Sequence, residues 1–123
     1  MNTRAIAQAH LRNHFGRSPK NLRTSKYYST HESWIKRPAW WFDIPIDSIR
    51  SEPGGTTYMV GLNADQAVEV VMAVPHSFLQ DQEAVFDRTS DGKLRLHIAA
   101  DGPDRFTEYR QGRGPSFTPY VIP

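Results

Sequence analysis

The chain has 123 residues, no cysteine, and 15 Lys+Arg against 13 Asp+Glu, a formal net charge of +2. Its length suits a single domain around one core, and the missing cysteines exclude disulfides, thiolate metal sites and cysteine nucleophiles. An aromatic share of 11% argues against a disordered chain, no apolar run approaches the ~20 residues of a membrane span, and no apolar leader is visible, so a cytoplasmic protein is expected.

Residues 3–15 read as a helix. Asn2 or Thr3 can cap it, and Gly16 stands where a left-handed closing residue is wanted. Ala7, Leu11 and Phe15 recur every four residues, with Ile6 beside them, as a narrow apolar stripe. Residues 17–33 show neither period and read as a long loop. From Trp34 the pattern turns to β. Trp40, Phe42, Ile44 and Ile46 alternate with Trp41, Asp43 and Pro45, so Trp40 belongs to the core. Residues 47–49 read as a turn, and Glu52-Pro53-Gly54-Gly55 as another. Strands are expected over 57–62 and 68–74. The second is apolar at nearly every position and reads as an interior strand covered on both faces. A short helix over 77–82 follows Pro75. Strands over 84–89 and 93–99 are then joined by Ser90-Asp91-Gly92, with Leu94, Leu96 and Ile98 inward and Lys93, Arg95 and His97 outward. Residues 106–110 read as one helical turn, and the tail from 112 as a packed extended segment. No internal repeat is visible in the sequence.

The expected fold is α+β, with an N-terminal helix packed on a mostly antiparallel twisted sheet of about five strands, plus one or two short helices. It forms one domain over residues 1–123, with a basic helix and loop over 1–33 and a sheet-forming core with its C-terminal extended segment over 34–123.

The small net charge hides an asymmetry. Eight cations and one acid give the first 41 residues +7, and seven cations against twelve acids give the remainder −5. Within the basic third, Arg17, Lys20, Arg23, Lys26, Lys36 and Arg37 interleave with Tyr27, Tyr28, Trp34 and Trp41. Cations neutralise phosphates and release counterions, aromatic faces stack on unpaired bases, and hydroxyls such as Ser25, Ser29 and Thr30 add phosphate hydrogen bonds. This composition points to a non-catalytic protein that binds DNA, RNA or a nucleoprotein complex. Its phosphate contacts are expected from the six cations, and its stacking from Tyr27, Tyr28 and Trp41. The alternative is a protein-interaction module, an inhibitor or accessory subunit, since Trp, Tyr and Arg are also the residues of interface hot spots. An apolar edge strand leaves pairing into a homodimer open.

Other chemistry is weakly written. His10 and His14 lie one helical turn apart without the Glu of a zincin, and read as polar-face residues. Asp43 and Glu69 lack an acid two residues before a lysine, and no nucleophile elbow or Walker loop is present. No catalytic residue, metal or cofactor is therefore assigned. The run Trp40-Trp41-Phe42-Asp43-Ile44-Pro45, then Tyr58-Met59-Val60-Gly61-Leu62, then residues 70–74 with Pro75, resembles the later strands of restriction-type nuclease domains of the PD-(D/E)xK class over about residues 34–80. The metal-holding acids and lysine of that family have no counterpart here. The resemblance therefore implies nucleic-acid handling with catalysis lost, and places a metal-dependent nuclease last among the readings.

Overall fold

In the computed structural model, which describes residues 2–16 and 18–123, helix α1 (Thr3–Phe15) is capped by Asn2, whose side chain accepts the Ala5 N–H at 2.8 Å. Gly16 ends it at φ 63°, a left-handed conformation in which its N–H turns back to the Arg12 carbonyl. Six strands and two further helices follow in the order β1 (Leu22–Ser25), β2 (Ala39–Pro45), α2 (Ile46–Ser51), β3 (Thr56–Leu62), β4 (Val68–Pro75), α3 (His76–Asp81), β5 (Asp87–Arg88) and β6 (Lys93–Ala99).

The fold is α+β, but the strands form two three-stranded sheets where one of about five was expected. In the first, β1 runs parallel to β3 and β3 antiparallel to β4; in the second, β2 and β5 flank β6, both antiparallel. The split follows from a unit used twice. A strand ends in proline, which cannot extend the ladder, and a one-turn helix starts at once: β2–α2 and β4–α3. After each proline the next N–H is bonded to a glycine carbonyl just ahead of the partner strand, Ile46 to Gly92 at 3.0 Å and His76 to Gly55 at 2.9 Å. The β4 unit thus pairs with β3, the strand directly after the other unit, and the β2 unit with β6, which follows the other unit after the two-residue β5.

The sheets pack face to face. Trp40, Phe42, Ile44, Leu94, Leu96 and Ile98 from one meet Met59, Val70, Met72 and Val74 from the other, with Ile49, Leu79 and Phe117 closing the ends. Trp40 is buried as expected. Its ring lies on Gly61, where a Cβ would come within 2.7 Å, and its Nε1–H donates to the Leu62 carbonyl at 2.8 Å. On the far side of the first sheet, Ala7 and Leu11 of α1 pack on Leu22, Val60, Leu62 and Val71.

Several local expectations change. Strand β1 lies inside the stretch read as loop, four residues being too few to display a period. Residues 47–49 belong to α2. Strand β4 is an edge of its sheet, and it reads as interior because both its faces are covered; Ile122 also bonds to its rim through the Val71 carbonyl at 2.8 Å. Residues 84–89 reduce to a helical turn, Glu83–Val85, and the two-residue β5. Residues 107–110 run extended along β6, with the Tyr109 N–H on the His97 carbonyl at 2.8 Å, so His97 keeps the expected outer face of its strand but is buried there under neighbouring side chains. The tail packs as expected, with Phe117 in the core. Among the described residues no helix is long and apolar enough to cross a membrane.

Candidate nucleic-acid interface

The outer face of the second sheet is set by strand register. Trp41 of β2 stands opposite His97 of β6, and Asp43 opposite Arg95, which in turn faces Asp87 of β5. Two connecting segments close over this face. Tyr28, Trp34 and Lys36 come from the stretch between β1 and β2, held by the reciprocal backbone bonds of Tyr28 and Ala39, and Arg110 comes from the segment after β6. The result is a groove of two lobes that share Tyr28 and Trp41 as a common wall.

The first lobe, about 560 Å³, is lined by Arg4, Arg23, Lys26, Thr3 and Thr24 beside that wall. Arg4 leans across from α1 to donate to the Leu22 carbonyl at 2.9 Å. Among the described residues the Arg23 side chain makes no hydrogen bond or ion pair, and burial together with the Arg4 charge pushes its guanidinium below the ordinary arginine range. The carboxylate in this lobe, Asp43, is engaged by Arg95 at 3.1 Å and by the Trp41 Nε1–H at 3.0 Å. Asp43 also acts on Arg23 and partly offsets this lowering, so Arg4, Arg23 and Lys26 share a recess with one carboxylate that Arg95 already engages, an excess of positive charge that an anion relieves.

The second lobe, about 390 Å³, is aromatic. Tyr28 and Trp41 meet with ring centroids 5.9 Å apart, and Trp34 is 63% exposed. The Arg110 guanidinium lies 3.8 Å over the Trp34 ring and that of Arg95 4.9 Å over Trp41. Such stacking fixes the rings while leaving other faces open. Arg110 is oriented by Asp87 at 3.0 Å. Beneath the rings His97 meets Trp41 edge-on, and burial, reinforced by Arg110 and Arg95, pushes its pKa down to about 4, so it is neutral at neutral pH. Buried Glu108, its carboxyl raised by burial, accepts the His97 and Arg110 N–H groups through Oε2 at 3.1 and 2.7 Å. Its Oε1 and the Nδ1 of His97 have no partner among the described residues.

Of the residues singled out in the sequence, Arg23, Lys26, Tyr28, Lys36 and Trp41 converge on this groove. Lys26 is shared with Glu32 at 3.2 Å and lies over the Tyr28 ring, whereas Lys36 has no ion-pair partner among the described residues. Others go elsewhere. Lys20 pairs with Glu52 at 2.6 Å by a different recess, Arg37 is clamped by both oxygens of Asp104 at 2.7 and 2.8 Å, and Tyr27 lines neither lobe. Arg17 lies outside the described residues. The Ser25 hydroxyl is used internally, accepting the Trp41 N–H and donating to the Lys26 carbonyl, and that of Ser29 bonds to Glu32. Sequence reasoning missed Arg4, Arg95, His97 and Arg110. Arg95 and His97 had already been placed on the outward face of their strand, and pairing that strand with β2 would have put them beside Trp41.

The carboxylates considered for a metal centre are separated. Asp43 sits on β2 with Arg95, Glu69 on β4 with Arg105 at 3.2 Å, and no cluster of three or more metal-capable side chains occurs among the described residues. The chain matches no family model, no characterised protein and no solved structure with which it was compared.

Proposed function

We propose that this chain binds nucleic acid through the two-lobed groove, with Arg4, Arg23, Lys26 and Lys36 on phosphates and the Tyr28–Trp34–Trp41 rings available for stacking. The observation that carries this reading is the half-buried Arg23, held beside Arg4 without an acid of its own, one wall away from exposed tryptophans. Phosphate attraction supplies the affinity of such sites, and aromatic faces supply a hold on bases that does not depend on sequence. The nucleic-acid handling implied by the resemblance of residues 34–80 to restriction-type nucleases fits the same reading.

Fluorescence anisotropy with a labelled oligonucleotide, titrated between roughly 50 and 200 mM salt, tests it. Affinity should fall steeply with salt, and Arg23→Gln should lower the log–log slope by about one. No binding at the lowest salt, or affinity indifferent to salt, would overturn the proposal. The rival reading, a protein-interaction module, rests on the same exposed Trp34 and Trp41. It is favoured if complexes recovered with the protein survive nuclease treatment.

A further inference from the structure

The shared wall of the groove has dimensions and chemistry that suit one nucleotide at a time. On one side lie Arg4 and Arg23, free of ion pairs among the described residues, and the hydroxyls of Thr3 and Thr24, themselves 3.3 Å apart. On the other lies a recess of about 390 Å³ walled by three aromatic rings, with a buried imidazole at its base. A base paired in a duplex shows only its edge, whereas a recess walled by rings offers contact to the two faces that pairing and stacking hide.

Building on the proposed function, we infer that the groove takes single-stranded nucleic acid, with one unpaired base inserted among Tyr28, Trp34 and Trp41 and its phosphate on Arg4 and Arg23. Three observations converge on this. The aromatic lobe is smaller than the phosphate lobe, about 390 against 560 Å³. The two lobes meet along a wall only two side chains wide, Tyr28 and Trp41. The guanidiniums of Arg95 and Arg110 are spent on aromatic faces and on Asp43 and Asp87, so the ring walls of this lobe suit a flat group, with Lys36 at the same lobe left for a neighbouring phosphate. Buried His97 forms the floor of this lobe and supports Trp41 edge-on.

The test compares, at one salt concentration, three single strands of equal length and charge (an oligothymidine, its RNA counterpart and a strand of abasic sites) and a duplex of half that length, which carries about the same number of phosphates. The base-bearing single strands should bind roughly tenfold or more tightly than the abasic strand. Trp34→Ala should lose the same factor on base-bearing strands and nothing on the abasic one, and Trp34→Phe should recover part of it. The RNA and DNA strands separate recognition of the base, common to both, from contact with the 2′-hydroxyl. Equal affinity for abasic and base-bearing strands, or a duplex bound as tightly as the single strand, overturns the inference. In that case salt-dependent binding that still responds to Arg23→Gln leaves the proposed function standing. Absence of binding to every strand at low salt removes both.

Discussion

The two sheets each contain a strand–proline–helix unit, yet their outer faces have opposite characters. The face of β1–β3–β4 shows Leu22, Val60, Leu62 and Val71 to α1 and is closed by apolar contact. The corresponding face of β2–β6–β5 shows Trp41, Asp43, Arg95 and His97 to two connecting segments, and is closed by ion pairs and ring stacking. A helix laid on a sheet demands apolar residues beneath it, since any buried polar group there needs a partner that the helix backbone cannot supply. Loops can bring such partners. The second face therefore keeps charged and aromatic side chains on rigid strands, the placement a binding site needs. The covered face serves as scaffold and the second face carries the aromatic half of the site, while the phosphate half draws Arg4 and Arg23 from the margin of α1 and β1.

This contrast can be broken most severely at Leu11, which is fully buried beneath the first sheet. Leu11→Ala should lower the urea-unfolding free energy by roughly 2–5 kcal/mol, while the folded fraction binds oligonucleotide as the parent does. A loss of affinity in that folded fraction would show that scaffold and site are not separable. Acid probes the other face. His97 has its pKa at about 4 in the folded state against 6.5 when unfolded. Between those values the unfolded chain binds more protons, so stability falls as pH drops through the window, by about 3 kcal/mol when integrated. Glu108 acts in the opposite direction, because its raised pKa lets the folded state take up a proton first as pH falls. Glu108→Gln should therefore steepen the acid loss between pH 6.5 and 4, and His97→Gln should flatten it, in urea titrations at a series of pH values. A pH response unchanged by both would detach this face from the titration. The smallest expected effect belongs to Trp34, which is mostly exposed. Trp34→Ala should move stability by only about 0.5 kcal/mol while lowering affinity for single strands. A larger drop in stability would make that ring structural.

How legible was this in the sequence? The elements with full periods were plain. Helix α1 announced itself by its four-residue stripe between Asn2 and Gly16, and β2 and β6 by alternation long enough to fix which side chains point inward. Short pieces were opaque, because β1 has four residues and α2 six, and a period cannot be seen in so few. The division into two sheets was hidden for another reason. The pairing of β2 with β6 is decided by tertiary contacts some 50–60 residues apart, for which adjacent strands offer no signal. The site was half legible on the same account. Tyr28, Trp41, Arg23, Lys26 and Lys36 sit together in the sequence and in space. Arg37 looked equivalent to them until Asp104, distant in the chain, took it. Arg95 and Arg110 reach the groove only through the β2–β6 register and the extended path of residues 107–110, where the sequence suggests a helical turn.

The exchange of partners between the two strand–proline–helix units also has a temporal side. As the polypeptide is synthesised, β3 and β4 become available in succession and can pair at once, but β2 must wait for β6, about fifty residues later. Until then Trp41 and Asp43 stand on a strand with an open rim, and the second lobe lacks Arg95, His97 and Arg110. Pairings of such long sequence separation form late and slowly. The Arg4 and Arg23 side of the groove, on α1 and β1, can therefore be in place first, and the wall of Trp41 and the aromatic recess are completed only when the last third of the chain closes over them.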